Sequence, residues 1–176
     1  MSSLIAKQPF LASLDCRTQG WYAQHAPPEI PTLGVQWRFW VGADVHARAR
    51  TWLGAGTELR RTPVDAAAAD TQSAITSSTG NLLFEATFTW NGLVARADAI
   101  RRAGTEWDLI EVKSGKSPGE DDKLKPEYVD DLAYTRMVAG NAGLKISRSL
   151  LVLINRDYRL DGGAPMFACV DVTAAV

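Results

Sequence analysis

The chain has 176 residues, of which 46% are hydrophobic, and a formal net charge of −1. This length and composition predict one domain with a substantial core. The near-zero charge excludes a uniformly basic nucleic-acid coat, although a local basic groove needs only a few phosphate contacts.

The two cysteines, Cys16 and Cys169, lie far apart. They exclude a disulfide framework, and also a zinc or iron–sulfur site built from this chain's cysteines alone. Lys7 and Asp15 interrupt the apolar pieces near the N-terminus, so no signal peptide is predicted. No run approaches the ~18 apolar residues of a membrane span. We therefore expect a soluble protein of the reducing cytoplasm, without membrane contact.

The first half of the chain predicts three helices. The first covers residues 10–25 and ends at a proline-rich break over residues 26–31. The second covers residues 37–52 and ends at Gly54-Ala55-Gly56, and a short strand is expected over residues 58–60. The third follows Pro63 and covers residues 64–75.

The second half predicts a strand meander. Strands over residues 82–90 and 93–101 are joined by Asn91-Gly92, a strong two-residue hairpin turn. A third strand covers residues 106–113 and is followed by a charged loop over residues 115–125. A helix over residues 126–138 and strands over residues 147–154 and 167–172 complete the chain. This order predicts an α/β protein with a mixed central sheet flanked by helices.

The third strand carries the most informative pattern, Leu109-Ile110-Glu111-Val112-Lys113-Ser114. Because successive strand side chains alternate faces, Glu111 and Lys113 share one face. Pairing of the second and third strands as a hairpin would place Asp98 beside both of them. The pattern therefore predicts two carboxylates and one ammonium group in one place.

These groups suit cleavage of a phosphodiester. Asp98 and Glu111 would supply oxygen ligands to Mg²⁺ or Mn²⁺, and the carbonyl of Val112 would add a third. Lys113 would orient the nucleophile or stabilise the developing charge. The competing interpretation is a solvated Glu–Lys pair on an exposed strand. The apolar neighbours, and Asp98 on the expected partner strand, favour the site.

The pattern resembles the PD-(D/E)xK nuclease superfamily and, within it, the RecB-like exonuclease group, which includes CRISPR adaptation nucleases. Asp98 in Arg96-Ala97-Asp98 and the Glu111-Val112-Lys113 motif carry the resemblance, together with Gly42-Ala43-Asp44-Val45-His46. The resemblance implies that His46 is a metal ligand. It also implies a restriction-endonuclease-like core, with residues 1–176 as a single nuclease domain or a fragment of a longer protein.

Other positions match the group less closely. Its Gln-x-x-x-Tyr pattern falls on Asp130 and Tyr134, which the resemblance makes candidate substrate contacts. Lys116, a basic residue just after the Glu111-Val112-Lys113 motif, is a further candidate substrate contact. Cys16 resembles the first cluster ligand of iron–sulfur members, but the three later cysteines are missing. No iron–sulfur cluster is therefore expected, and Cys16 is expected to be a buried thiol. Glu85 is either an additional acidic group near the metal or an exposed strand residue.

Taken together, the residues and the resemblance predict a divalent-metal-dependent DNA nuclease, and the group favours exonuclease action. Single-stranded DNA or duplex ends would be its substrate, with a partner protein or a second copy of the chain as a further expected partner. The alternatives are a non-catalytic nucleic-acid-binding or assembly module that retains the fold, and a plain structural domain. The resemblance implies a role in DNA repair, in recombination, or in phage- or CRISPR-linked DNA processing, and the fold does not decide between them.

Overall fold

The computed structural model describes residues 4–26, 29–77, 80–119 and 122–176. Pro27 and Pro28 of the predicted break, and residues 120–121 of the predicted loop, lie outside these ranges. None of the described helices is long and apolar enough to cross a membrane. In chain order the described elements are α1 (Lys7–Asp15), α2 (Arg17–His25), α3 (Leu33–Leu53), β1 (Thr57–Glu58), α4 (Val64–Thr76), β2 (Leu82–Trp90), β3 (Leu93–Ala103), β4 (Glu106–Lys116), α5 (Pro126–Asn141), β5 (Ile146–Ile154) and β6 (Phe167–Asp171).

The strands form one mixed sheet, as the sequence predicts, in the order β1-β2-β3-β4-β5-β6. β1 runs parallel to β2 and β4 runs parallel to β5, whereas the other neighbouring strands are antiparallel. Helix α5 connects β4 to β5, because parallel strands cannot be joined by a tight turn. The described part of the chain is therefore an α/β fold with a six-stranded mixed sheet.

Helices cover both faces of this sheet. On one face, Val45 and Ala49 of α3 pack against Ile110 and Val112 of β4. On the other face, α5 supplies Leu132 and Val138 to a larger cluster, which α1 and α4 also join. The alternation of β4 therefore directs Glu111 and Lys113 toward the α1 and α5 side, because Ile110 and Val112 face α3.

The predicted helix over residues 10–25 is two helices, so this prediction was wrong. Cys16 is extended (φ −152°, ψ 118°), and α2 folds back against α1. Gly20 permits this contact, since a Cβ there would lie 2.4 Å from the Cβ of Ser13. The thiol of Cys16 is exposed, which contradicts the prediction of a buried cysteine.

The other helix and strand boundaries shift by a few residues. α3 begins at Leu33, earlier than predicted, because the hydroxyl of Thr32 accepts the Val35 N–H and caps the helix. β1 covers Thr57–Glu58 rather than residues 58–60. β4 extends to Lys116 and shortens the predicted loop.

The side-chain alternation of β2 and β3 shifts by one residue at Glu85 and Asp98. Phe84 and Ala99 face each other in the core beneath α3, whereas Ala86 and Ala97 belong to the core beneath α5. In a regular strand, residues two apart lie on the same face. Glu85 has φ 61°, in the left-handed region, and this conformation accompanies the shift. Asp98 lies directly opposite Glu85 in this register.

The chain segment before α1 takes the place of β4 along one half of β3. β3 pairs with β4 only from Ala99 to Ala103. In the half of β3 that precedes Asp98, residue 5 forms the neighbouring hydrogen bonds instead. The Ile5 N–H donates to the Gly92 carbonyl at 2.8 Å, and the Val94 N–H donates to the Ile5 carbonyl at 2.9 Å. This short pairing places the start of α1 beside the Asp98–Glu111 region.

Candidate catalytic site

The predicted hairpin of β3 and β4 is confirmed, and it brings the three charged residues together. The register that pairs Ala99 with Ile110 places Asp98 opposite Glu111. The backbone N–H of Val112 donates to Asp98 Oδ2 at 2.7 Å. Lys113 Nζ donates to Glu111 Oε1 at 3.0 Å.

Lys113 is held between two carboxylates, because it also donates to Asp131 of α5. Burial alone would lower the pKa of Lys113. The negative charges of Glu111 and Asp131 outweigh this effect and raise the pKa above its ordinary value. Lys113 is therefore an ammonium donor at neutral pH and not a general base.

Glu111 is 4% exposed, and its two oxygens differ sharply in their surroundings. Oε1 accepts from Lys113 and also from Lys7 of α1, whose Nζ lies 2.7 Å away. Oε2 is buried and has no hydrogen-bond partner in the described part of the chain. A buried acceptor without a partner costs about 1–3 kcal/mol. This oxygen is therefore available to a further donor or cation.

Asp98 carries the most perturbed carboxyl group of the site. Burial and the nearby charge of Glu111 raise its pKa from 3.8 to about 8, although the Val112 N–H acts in the opposite direction. At neutral pH its carboxylate is thus unstable without a compensating positive charge. Either a proton or a cation would supply that charge.

His46 approaches the same carboxyl group from α3. Its Nδ1 lies 3.6 Å from Asp98 Oδ1. Burial lowers the pKa of His46, so the ring is neutral at pH 7 and can donate a lone pair to a metal. Gly42 precedes it by about one turn on the same helix.

The carboxyl groups of Asp98 and Glu111 and the imidazole of His46 are donor types that bind divalent cations, although they do not form a preorganised coordination site. Among the described residues, no group of three or more His, Cys, Asp or Glu side chains is arranged to hold a metal ion. The structure instead places His46 Nδ1 3.6 Å from Asp98 Oδ1, and the register of β3 and β4 places Asp98 opposite Glu111. Val112 contributes its N–H to Asp98, and the ligand role of its carbonyl stays a prediction.

The three predicted substrate contacts lie in different surroundings. Tyr134 is 2% exposed, and its hydroxyl lies 3.0 Å from the carbonyls of both Ile5 and Val94. Asp130 is exposed on α5, and Lys116 is exposed at the end of β4. Within the described ranges, no hydrogen bond or ion pair joins any of the three to Lys113, although Asp130 lines one cavity together with Lys7 and Asp131.

Glu85 is buried, so the alternative of an exposed strand residue was wrong. Its Oε1 accepts from Arg50 and, at 2.6 Å, from Arg61. Arg96 lies 4.0 Å from its other oxygen. Guanidinium groups therefore neutralise Glu85.

Two residues of the cluster, Lys7 and Asp131, were missed by sequence reasoning. Asp131 had a detectable signal: on a helix it shares a face with the buried residues Thr135 and Val138, whereas the family pattern pointed to its neighbour Asp130. Lys7 had no such signal. It lies 104 positions before Glu111 and reaches it only because Ile5 pairs with β3.

Comparison with known proteins does not assign this chain to a family. No protein-family model matches the chain, and no curated protein matches it. A crystal structure of SSO0001 is similar at 14% identity and a TM-score of 0.47, covering 98% of this chain and 68% of the other. A likeness at this level carries no argument about the activity.

We expect Tyr134→Phe to lower the free energy of unfolding by about 1 kcal/mol, because the hydroxyl bridges the Ile5 and Val94 carbonyls. Urea unfolding measures the change. The control is Tyr128→Phe, since no hydrogen bond of the Tyr128 hydroxyl is described. Unchanged stability in Tyr134→Phe with weakened DNA binding would instead support the substrate-contact role.

Stability should also depend on the ionisation of Asp98. The pKa of Asp98 is about 8 in the folded state, above its ordinary value of 3.8. Protonation of Asp98 therefore contributes fully to the free energy of unfolding below about pH 4, and this contribution is lost as the pH rises through 8. In EDTA, the free energy of unfolding of Asp98→Asn, relative to that of wild type, should therefore increase between about pH 4 and pH 8. The increase should be at most about 1.4 kcal/mol per pH unit. Urea unfolding at several pH values tests this, with Asp161→Asn as the control at an exposed position. Parallel curves for wild type and Asp98→Asn would contradict it.

Proposed function

We propose that this protein is a divalent-metal-dependent DNA nuclease that hydrolyses phosphodiester bonds. The observation that carries the proposal is the cluster of Asp98, Glu111 and Lys113 at the β3–β4 hairpin, in which one carboxyl group has a raised pKa and the other a buried, unpartnered oxygen. Perturbed carboxyl groups in such a setting are typical of functional sites.

The donor types suit Mg²⁺ or Mn²⁺, although no three of the described donor side chains are already arranged around an ion. Asp98, Glu111 and His46 would hold the ion. The ion would give the buried Glu111 Oε2 a partner and would reduce the charge repulsion between Asp98 and Glu111. A neutral imidazole ligand favours Mn²⁺ more than an all-oxygen site does. When bound, the metal lowers the pKa of a coordinated water and offsets negative charge in the transition state.

The chain's own residues would prepare the substrate for this chemistry. Lys113 is held by Glu111 and Asp131, so its ammonium group has a defined position. From there it can donate to a phosphate oxygen or to the attacking water. Lys7 adds a second ammonium at Glu111 Oε1 and contributes to the charge balance.

The observed meander β2-β3-β4 followed by α5 and β5 is consistent with the proposed restriction-endonuclease-like core. Exonuclease action is a separate part of the proposal and rests on the resemblance to the RecB-like group. Sparing of closed circular DNA, with cleavage of the linear form, would support it.

The central test uses Lys113→Ala and Lys113→Met, which both remove the ammonium group. We expect cleavage of end-labelled linear DNA in Mn²⁺ or Mg²⁺ to fall about 10²–10³-fold, because each removes a donor aimed at developing charge. The control is Lys145→Ala, an exposed lysine just before β5, which should cleave like wild type.

A second readout is independent of cleavage. Mn²⁺ should raise the thermal midpoint of wild type but not that of Asp98→Asn, because a ligand that binds only the folded state stabilises it. Wild type that neither cleaves DNA nor responds to metal would overturn the proposal. DNA binding without cleavage would then favour the non-catalytic binding module.

A further inference from the structure

A cleft of about 360 Å³ runs along α3 beside the candidate catalytic site. His46 lies at the point where the cleft meets Asp98, because its ring lines the cleft and its Nδ1 lies 3.6 Å from the Asp98 carboxyl group. The other lining residues that matter here are Arg38, Phe39, Gly42, Arg50 and Arg61.

The cleft carries an excess of positive charge. Arg50 and Arg61 share the buried Glu85, and Arg50 also pairs with the exposed Glu58 at 2.7 Å. Arg38 has no ion pair or hydrogen bond within the described ranges. With Arg96, which lies 4.0 Å from Glu85, four guanidinium groups therefore lie near three carboxyl groups, those of Glu58, Glu85 and Asp98. The remaining positive charge is suited to a phosphate.

Phe39 gives the cleft an aromatic surface. Phe39 is 64% exposed, and Trp37 and Trp40 of the same helix are exposed to a similar degree. Exposed aromatic rings beside a cationic groove are the elements with which proteins hold unpaired bases by stacking. Phe39 lies two turns before His46 on α3, on the same side of the helix.

Gly42 lines the cleft between Phe39 and His46 and presents no side chain there. A Cβ at this position would meet nothing within 4 Å, so no packing contact requires glycine there. Glycine in a helix interior is destabilising relative to alanine. The missing side chain instead leaves space at the floor of the cleft.

We propose that this cleft is a subsite for one unpaired nucleotide next to the scissile phosphate, an inference that rests on the proposed nuclease function. The phosphate would contact Arg38 and Arg61, and the base would stack on Phe39 above Gly42. The volume lies in the range of small-molecule pockets. A base pair inside a duplex has both faces covered by its neighbours and cannot stack there.

The test is fluorescence anisotropy in EDTA, which measures binding while cleavage is suppressed. The probes are a labelled oligothymidine of ~12 nucleotides and a blunt duplex of the same length. Arg38→Glu removes the unpaired guanidinium, Phe39→Ala removes the ring, and Gly42→Leu fills the floor of the cleft. All three variants should retain a thermal midpoint close to that of wild type, because Arg38 and Phe39 are exposed and a side chain at position 42 would enter open space.

We expect Arg38→Glu and Gly42→Leu to weaken single-strand binding about tenfold, and Phe39→Ala to weaken it about three- to tenfold. Wild type should bind the duplex more weakly than the single strand, and the three variants should change duplex binding little. Lys145→Glu makes the same change of charge on an exposed residue just before β5 and should stay within about twofold of wild type. The subsite is overturned by cleft variants that bind like wild type, or by an equal loss in Lys145→Glu.

Cleavage in Mn²⁺, measured in parallel, separates the two proposals. Normal cleavage of single strands by all three cleft variants would contradict the subsite proposal and leave the nuclease proposal standing. A wild-type protein that binds single strands through the cleft but never cleaves would contradict the nuclease proposal and leave the cleft as a binding site for an unpaired nucleotide.

Discussion

The repulsion between Asp98 and Glu111 is the interaction on which the rest of the site depends. The two carboxyl groups lie opposite each other on β3 and β4, in surroundings dry enough to raise the pKa of Asp98 to about 8. The neighbouring groups act against this repulsion: the Val112 N–H donates to Asp98, and Lys7 and Lys113 both donate to Glu111. The cluster is thus held in a state that a divalent cation would stabilise.

The groups that surround the two carboxylates come from opposite faces of the sheet. Lys7 and Asp131 belong to α1 and α5, whereas His46 belongs to α3 on the other face. Asp98 is within reach of both sets because the alternation of β3 shifts by one residue there, opposite the left-handed Glu85. The backbone irregularity and the site therefore coincide, as often occurs where strands position functional groups.

Local patterns predicted the central meander well. Asn91-Gly92 adopts positive φ at both residues, as a two-residue hairpin turn requires, and the strands on either side pair as expected. The break at Cys16 was not predicted, because it depends on the contact between Gly20 and Ser13 rather than on a helix-ending residue. Glu85 was ambiguous for a similar reason, since its burial depends on arginines from α3 and from the segment before α4.

The sequence by itself determined the hairpin and the shared face of Glu111 and Lys113, because turn chemistry and the two-residue period of a strand act over a few neighbouring residues. It also identified Asp98 as a candidate, and the family resemblance added His46. Only the tertiary structure decided which partners they meet. Lys7 reaches Glu111 across 104 positions of the chain, and the raised pKa of Asp98 is caused by burial and by the charge of a residue on another strand. Electrostatic energies depend on distances through space and on exclusion of water, and neither is written in local sequence.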